Sequence, residues 1–173
     1  MLLSPCRCAQ SARDNAPEKP ADKDHANVYF PPPLIHLSAI LIAVGLAWRY
    51  PLALPTGALS IGLGVVLLAV SMLIARAAFR QFSRNHNPVA PNKPIGDLMD
   101  GGPFRFTRNP LYVALALLQA GIGLISGSAW ILLTLPPALL VVRYYVIARE
   151  EAYLTRRFGQ AYLDYQSRVR RWL

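Results

Sequence analysis

Two stretches of this chain carry most of its capacity for chemistry. The first is Asp97-Leu98-Met99-Asp100-Gly101-Gly102-Pro103-Phe104-Arg105-Phe106-Thr107-Arg108-Asn109-Pro110-Leu111-Tyr112, and the second is Arg143-Tyr144-Tyr145-Val146-Ile147-Ala148-Arg149-Glu150-Glu151. Asn109-Pro110 reads as a helix start, with Asn accepting from the orphan amides of the first turn and Pro having no amide to leave unpaired. Capping does not account for Arg105 and Arg108, or for the pliable Gly101-Gly102 turn ahead of them. Amides at a helix start beside guanidinium groups make a site for a carboxylate; the alternative is arginines that only anchor to lipid phosphates and set topology. Glu150-Glu151 is the only adjacent pair of carboxylates in the chain and would attract a cationic group. The alternative there is a local surface pairing with Arg149 or Arg156. The remaining His, Cys and Asp residues show no metal-ligand spacing, and neither a Gly-rich phosphate loop nor a Ser-His-Asp arrangement can be assembled.

The elements that must position these residues are read from hydropathy. Of 173 residues, 54% are hydrophobic and only 16% charged, which is unusual for a soluble domain of that length. The apolar residues fall in blocks at 34–54, 57–79, 110–126 and 129–147. The expected fold is therefore an all-α integral membrane protein of about four transmembrane helices with a cytosolic C-terminal helical segment. The last two blocks, separated only by Gly127-Ser128, must form a tight antiparallel hairpin, so that the two chemical stretches meet at one membrane face. Residues 28–80 form a two-helix membrane hairpin in this reading, and 81–173 the catalytic region with its hairpin at 110–147.

Arginine placement sets the orientation. Arg76, Arg80, Arg84, Lys93, Arg105 and Arg108 surround the connection between the second and third blocks, and Arg149, Arg156, Arg157, Arg168, Arg170 and Arg171 follow the fourth. The other two connections hold only Arg49. Positive residues stay inside, so both termini are expected in the cytosol, with a bacterial inner membrane as the location. The net charge of +9 is accordingly a topology signal, and no nucleic-acid partner is expected. Residues 1–27, with alternating acids and bases and no apolar run, read as a disordered tail without an export signal, and Cys6 and Cys8 within it as reduced thiols. Three prolines between Asn87 and Pro94 stiffen an extended connection. Within the membrane blocks the polar features are few: small residues at Ala58/Gly62 and Ser60/Gly64 for close helix approach, and His36 one turn into the first helix, read as structural.

These motifs, in this order around a helical hairpin, resemble the isoprenylcysteine carboxyl methyltransferase family and its relatives among phospholipid methyltransferases. The resemblance rests on Gly102 through Tyr112 and on Glu150-Glu151, Leu154, Phe158-Gly159, Tyr162 and Tyr165, covering roughly residues 85–173. It implies a membrane methyltransferase that takes S-adenosylmethionine from the cytosol and a lipophilic acceptor from the bilayer. By that likeness Asn109, Pro110 and Tyr112 line the cofactor pocket beside Arg108. Leu98, Met99 and Phe104 lie in the preceding cofactor-facing loop, and Glu150 and Glu151 form the family's Glu-Glu pair. Gly121-Ile122-Gly123 looks like the Gly-x-Gly of the phosphatidylethanolamine enzymes, or it serves close packing. Asn109 stands where the prenyl-protein enzymes have histidine, and Asn cannot titrate, so no general base is assigned. Isoprenylcysteine-like carboxyl methylation leads, with phospholipid amine methylation as the alternative, since an ammonium acceptor must first lose a proton. A non-catalytic scaffold or a transporter subunit is the reading from another class. A transporter, however, places ionisable groups at mid-membrane, and here the membrane interiors read as nearly bare.

Overall fold

The computed structural model describes residues 30–89 and 95–172. The N-terminal tail with Cys6 and Cys8, and Pro91 and Pro94 of the proline-rich connection, lie outside the described residues. The described residues are helical apart from turns and one isolated bridge. Helix α1 (Pro32–Arg49) starts on prolines whose missing amides cost nothing in a first turn, and it ends before Pro51. Helix α2 (Ala58–Arg84) opens with Ser60 Oγ accepting from the Gly57 amide at 3.0 Å. Helix α3 (Pro110–Ser126) ends at Gly127, which takes the left-handed conformation at φ 64°. The chain then runs through α4 (Ala129–Leu133), α5 (Leu135–Val141), a π-helical turn at Val142–Ile147, and α6 (Ala148–Phe158). Gly159, at φ 54°, reverses it into α7 (Gln160–Arg168). Pro136 and Pro137 have no amide hydrogen to return to the preceding turn, and the rod breaks at Thr134 between α4 and α5.

Among the described residues, three helical stretches are long and apolar enough to cross a membrane: Pro32–Arg49, Ala58–Arg84 and Ala129–Phe158. The fourth apolar helix, α3, has 17 residues. It is nonetheless the centre of the bundle, with α2 along one side and α1, α4 and α5 along the other. That position explains its small and polar residues. Gly64 and Gly121 meet at the α2–α3 crossing, where a Cβ on either would lie 2.9–3.0 Å from the other's carbonyl oxygen. A Cβ on Gly123 would press into Leu132. Gly121-x-Gly123 is thus the packing face of α3, whereas Gly62 faces open space. Ser71 adds a 2.7 Å hydrogen bond from α2 to the Ala114 carbonyl.

The two turns at one end of the bundle are tied together. Leu54 N–H donates to Gly127 O at 2.7 Å, Ala129 N–H to Leu52 O at 3.1 Å, and Trp130 Nε1 to Tyr50 O at 2.6 Å. The loop before α3 and the segments after α6 therefore gather at the opposite end. Outward, α1 and α2 expose Leu37, Leu41, Ile42, Leu63, Val66, Met72 and Leu73. Such a continuous apolar belt is stable only with hydrocarbon as solvent, and the chain is a membrane protein.

One expectation needs correcting. The membrane interiors are not bare: His36 on α1, 3% exposed, places Nδ1 2.7 Å from Oε1 of the fully buried Gln119 on α3. The Gln119 amide in turn donates to Ile131 O at 3.1 Å and Thr134 Oγ1 at 3.2 Å. Neither His36 nor Gln119 signals this from sequence, because the partners are 83 residues apart.

Candidate functional site

The site is assembled at the arginine-rich end by a loop laid back onto α2. Asn87, just past α2, grips the returning chain: its Nδ2 donates to Asp97 O at 2.7 Å, while its Oδ1 accepts from Gly96 N at 2.9 Å. Leu98 and Met99 follow, and Met99 and Phe104 bury themselves against Ala78, Phe82 and Leu111. Phe104 stands edge-on to Phe82 with ring centroids 5.8 Å apart. Gly101 lies close against Gln81, whose Nε2 would stand 2.6 Å from a Cβ there. Gly102 takes φ +57°, open to glycine at little cost, and starts a short 3₁₀ turn, Gly102–Arg105. Of the two arginines in this stretch, Arg105 is exposed and Arg108 turns inward, with a side chain 10% exposed.

Asn109 does not cap α3 with its side chain. Its backbone carbonyl accepts from Tyr112 and Val113 N–H, both at 3.1 Å, and its Nδ2 donates instead to Arg171 O at 2.9 Å. Thr107 Oγ1 donates to the same carbonyl at 3.2 Å, and Arg108 N–H donates to Arg170 O at 3.0 Å. The segment after α7 is therefore a strap held across the start of α3. A terminal stretch without a motif gives no sequence cue for this role.

The two carboxylates part company. Glu151, 13% exposed, receives Arg171 Nε at 3.0 Å and Nη2 at 2.6 Å, a bidentate pair, with Arg108 Nη1 at 3.2 Å on the other side. Glu151 thus takes long-range partners from the loop before α3 and from the strap. Glu150, a turn of α6 facing α3, accepts from the Tyr112 hydroxyl at 2.6 Å. So Arg108, Asn109, Pro110, Tyr112, Glu150 and Glu151 are brought together, as the hairpin geometry requires. Of these six, Arg108 lines a cavity of about 50 Å³, together with Leu98, Met99, Phe104, Tyr162 and Tyr165.

Tyr162 and Tyr165 belong to this wall although no site role had been read into them. The turn at Gly159 folds α7 back so that Tyr165 OH donates to Phe104 O at 2.7 Å. Burial pushes the Tyr162 hydroxyl up to about 12, with the Glu151 charge adding to the shift and Arg108 opposing it. Burial also raises Tyr165, and the bond to Glu151 holds Arg171 firmly protonated. Both hydroxyls are therefore neutral. Arg108 is the under-satisfied member: Nε is buried without a hydrogen-bond acceptor, while Nη1 is ion-paired with Glu151 Oε1 at 3.2 Å. A buried cation with an unused donor at a cavity wall fits an oxygen of an anionic group. Among the described residues, no three His, Cys, Asp or Glu side chains converge as a metal site does.

A helical membrane bundle with an arginine and carboxylate site at one end of a central hairpin defines a class, and comparison with known proteins gives its family. The phospholipid methyltransferase family matches residues 59–161, and the chain belongs to that family of membrane methyltransferases, which includes the isoprenylcysteine carboxyl methyltransferase-like proteins. An uncharacterized protein of Haemophilus influenzae is 38% identical over 63 residues, covering 36% of this chain and all of that protein. No solved structure matches.

Proposed function

We propose that this chain binds S-adenosylmethionine at the Arg108 end of the bundle and directs its methyl group to a lipophilic acceptor that arrives through the bilayer. The observation that carries this reading is the largely buried Arg108 guanidinium on the cavity wall, whose Nε has no acceptor although Nη1 is ion-paired with Glu151. It suits the carboxylate of S-adenosylmethionine, while Glu150 suits its cationic end. Leu98, Met99 and Phe104 supply an apolar wall, and Asn109, Pro110 and Tyr112 shape the start of α3 beneath it. When bound, the donor supplies a methyl group already activated by its sulfonium. The residues contribute orientation and exclusion of water, which in well-aligned systems are worth up to about 7 to 11 kcal/mol. A cavity of about 50 Å³ is far below the 300 Å³ or more of ordinary ligand sites, so binding must move the strap or the loop over residues 95–105.

In this reading the four apolar helical stretches all cross the membrane with both termini in the cytosol. The tied turns at the arginine-poor end support that topology. The acceptor reading that leads from the sequence motifs is a prenylcysteine-like carboxylate, and an amine head group is the second, favoured by the buried histidine taken up below. Titration calorimetry with S-adenosylmethionine tests the site. Arg108→Met should weaken binding at least about tenfold while the protein stays folded. Equal affinity in the folded variant would remove the arginine from the site.

A further inference from the structure

The His36–Gln119–Thr134 chain has a chemical consequence outside the cofactor site. The Ile131 carbonyl can only accept, so the nitrogen of the Gln119 amide must face it, at 3.1 Å. Thr134 Oγ1 donates its hydrogen to the same carbonyl at 3.1 Å and so accepts from Gln119 Nε2 at 3.2 Å. Gln119 Oε1 is left facing His36 Nδ1 at 2.7 Å, and an amide oxygen can only accept. The hydrogen of a neutral imidazole is thereby placed on Nδ1. Nε2 then carries the basic lone pair, and it is buried without a hydrogen-bond partner among the described residues. Helices α1 to α5 hold no acidic residue that would favour an imidazolium. An apolar bundle that orders a histidine tautomer through three side chains and leaves its basic nitrogen unused has prepared a proton acceptor.

Its place fits the reaction. Tyr112 and Gln119 lie two turns apart on one face of α3, about 10 Å along the axis. His36 thus sits deeper than the Tyr112–Glu150 pair, on the membrane side of the candidate donor site. The neighbouring Ile35 packs in the cluster of Val146 and Tyr153 that also takes in Tyr112 and Tyr145. We propose that His36 Nε2 is the general base for the methyl acceptor, so that the acceptor is an amphiphile whose nucleophilic atom carries a proton to be removed, a thiol or an ammonium head on an alkyl chain. This rests on the methyltransferase reading and narrows its acceptor. The acceptor's S–H or N–H bond breaks, its proton goes to Nε2 and its electron pair stays on sulfur or nitrogen. That pair forms the new bond to the methyl carbon as the donor's C–S bond breaks, its electrons neutralising the sulfonium. The imidazolium keeps its Nδ1 bond to Gln119. An already ionised carboxylate has no use for the base.

The test uses the whole chain in lipid nanodiscs. With only three histidines in the sequence, His25, His36 and His86, ¹⁵N-histidine labelling resolves His36 by comparison with His36→Phe. Without donor, Nε2 should show the unprotonated resonance and shift on addition of hexadecanethiol or hexadecylamine, but not palmitate. With labelled S-adenosylmethionine, His36→Phe should bind the donor within twofold of wild type and methylate the responding amphiphile at least about 100-fold more slowly. A hydrogen on Nε2, no shift with either amphiphile, or an undiminished rate in the folded variant overturns the assignment. Failure of wild type to bind the donor would instead strike the proposed function and leave the resonance measurement standing.

Discussion

Arg108 on the loop before α3 and Glu151 on α6 stand 3.2 Å apart, and Glu151 simultaneously takes both oxygens' worth of contact from Arg171. One carboxylate therefore joins the loop, the end of the membrane rod and the strap. Removing it strands two cations, one of them largely buried, and breaking such a buried pair costs about 3–5 kcal/mol. Glu151→Ala is expected to destabilise the folded protein by an amount of that order, read as a lower thermal midpoint in detergent. A midpoint within a degree of wild type would show the triad to be loose.

Arg171→Ala tests the strap from its other side. Arg171 is one-third exposed, so solvent screening reduces the loss to about 1–2 kcal/mol. The backbone bonds from Asn109, Thr107 and Arg108 to residues 170–171 remain. Limited proteolysis should release the strap faster in this variant, and unchanged cleavage there would mean those backbone bonds suffice.

The α2–α3 crossing gives a matched pair. Gly121→Val puts side-chain atoms where the Gly64 carbonyl and Leu68 already lie, at 2.9 Å from a bare Cβ, whereas Gly62→Val meets nothing within 4 Å. The first should abolish a folded, monodisperse protein and the second leave yield and thermal midpoint unchanged. Equal behaviour of the two would dissolve the argument that α3 is central because its glycines admit its neighbours.

Tyr162 supplies a pH dependence. Its hydroxyl is raised from 10.0 to about 12 on folding, so the folded state holds its proton more tightly than the unfolded chain does. The stabilisation is complete below pH 10 and is lost as pH rises towards 12, because the unfolded state ionises first. In the difference between wild type and Tyr162→Phe, phenolate absorbance should rise near pH 12. A difference curve rising near pH 10 would mean the ring is solvated.

What was legible in the sequence and what was not divide along a physical line. Hydropathy blocks and arginine placement act over whole segments, so the helices and the meeting of Arg108 with Glu151 through a short hairpin could be read directly. Contacts decided by one atom could not. Asn109-Pro110 predicts a cap, but the Asn109 amide finds the Arg171 carbonyl instead, a competition between local and distant acceptors that residue type does not resolve. Arg171 itself, in a short basic tail, reads as topology and not as the partner of Glu151. His36 reads as structural for the same reason: its partner, Gln119, lies in another apolar helix 83 residues along the chain.

The last prediction separates the two glutamates. Glu151 is held by both Arg108 and Arg171, so its charge is spent within the protein, whereas Glu150 accepts from the neutral Tyr112 hydroxyl at 2.6 Å. A cationic ligand group is drawn to the carboxyl group that is not already held between two arginines. Glu150→Gln preserves shape and can still accept from Tyr112, so folding should survive while S-adenosylmethionine affinity falls at least about tenfold, more than the 0 to 1 kcal/mol of an exposed ion pair. Tyr112→Phe removes the neutral partner but leaves the carboxyl group, so it should change affinity by less than Glu150→Gln does. Calorimetry on the two folded variants decides between roles. If Glu150→Gln binds like wild type, or if Tyr112→Phe costs as much, the pair is a staple between α3 and α6 and the cationic end of the ligand lies elsewhere.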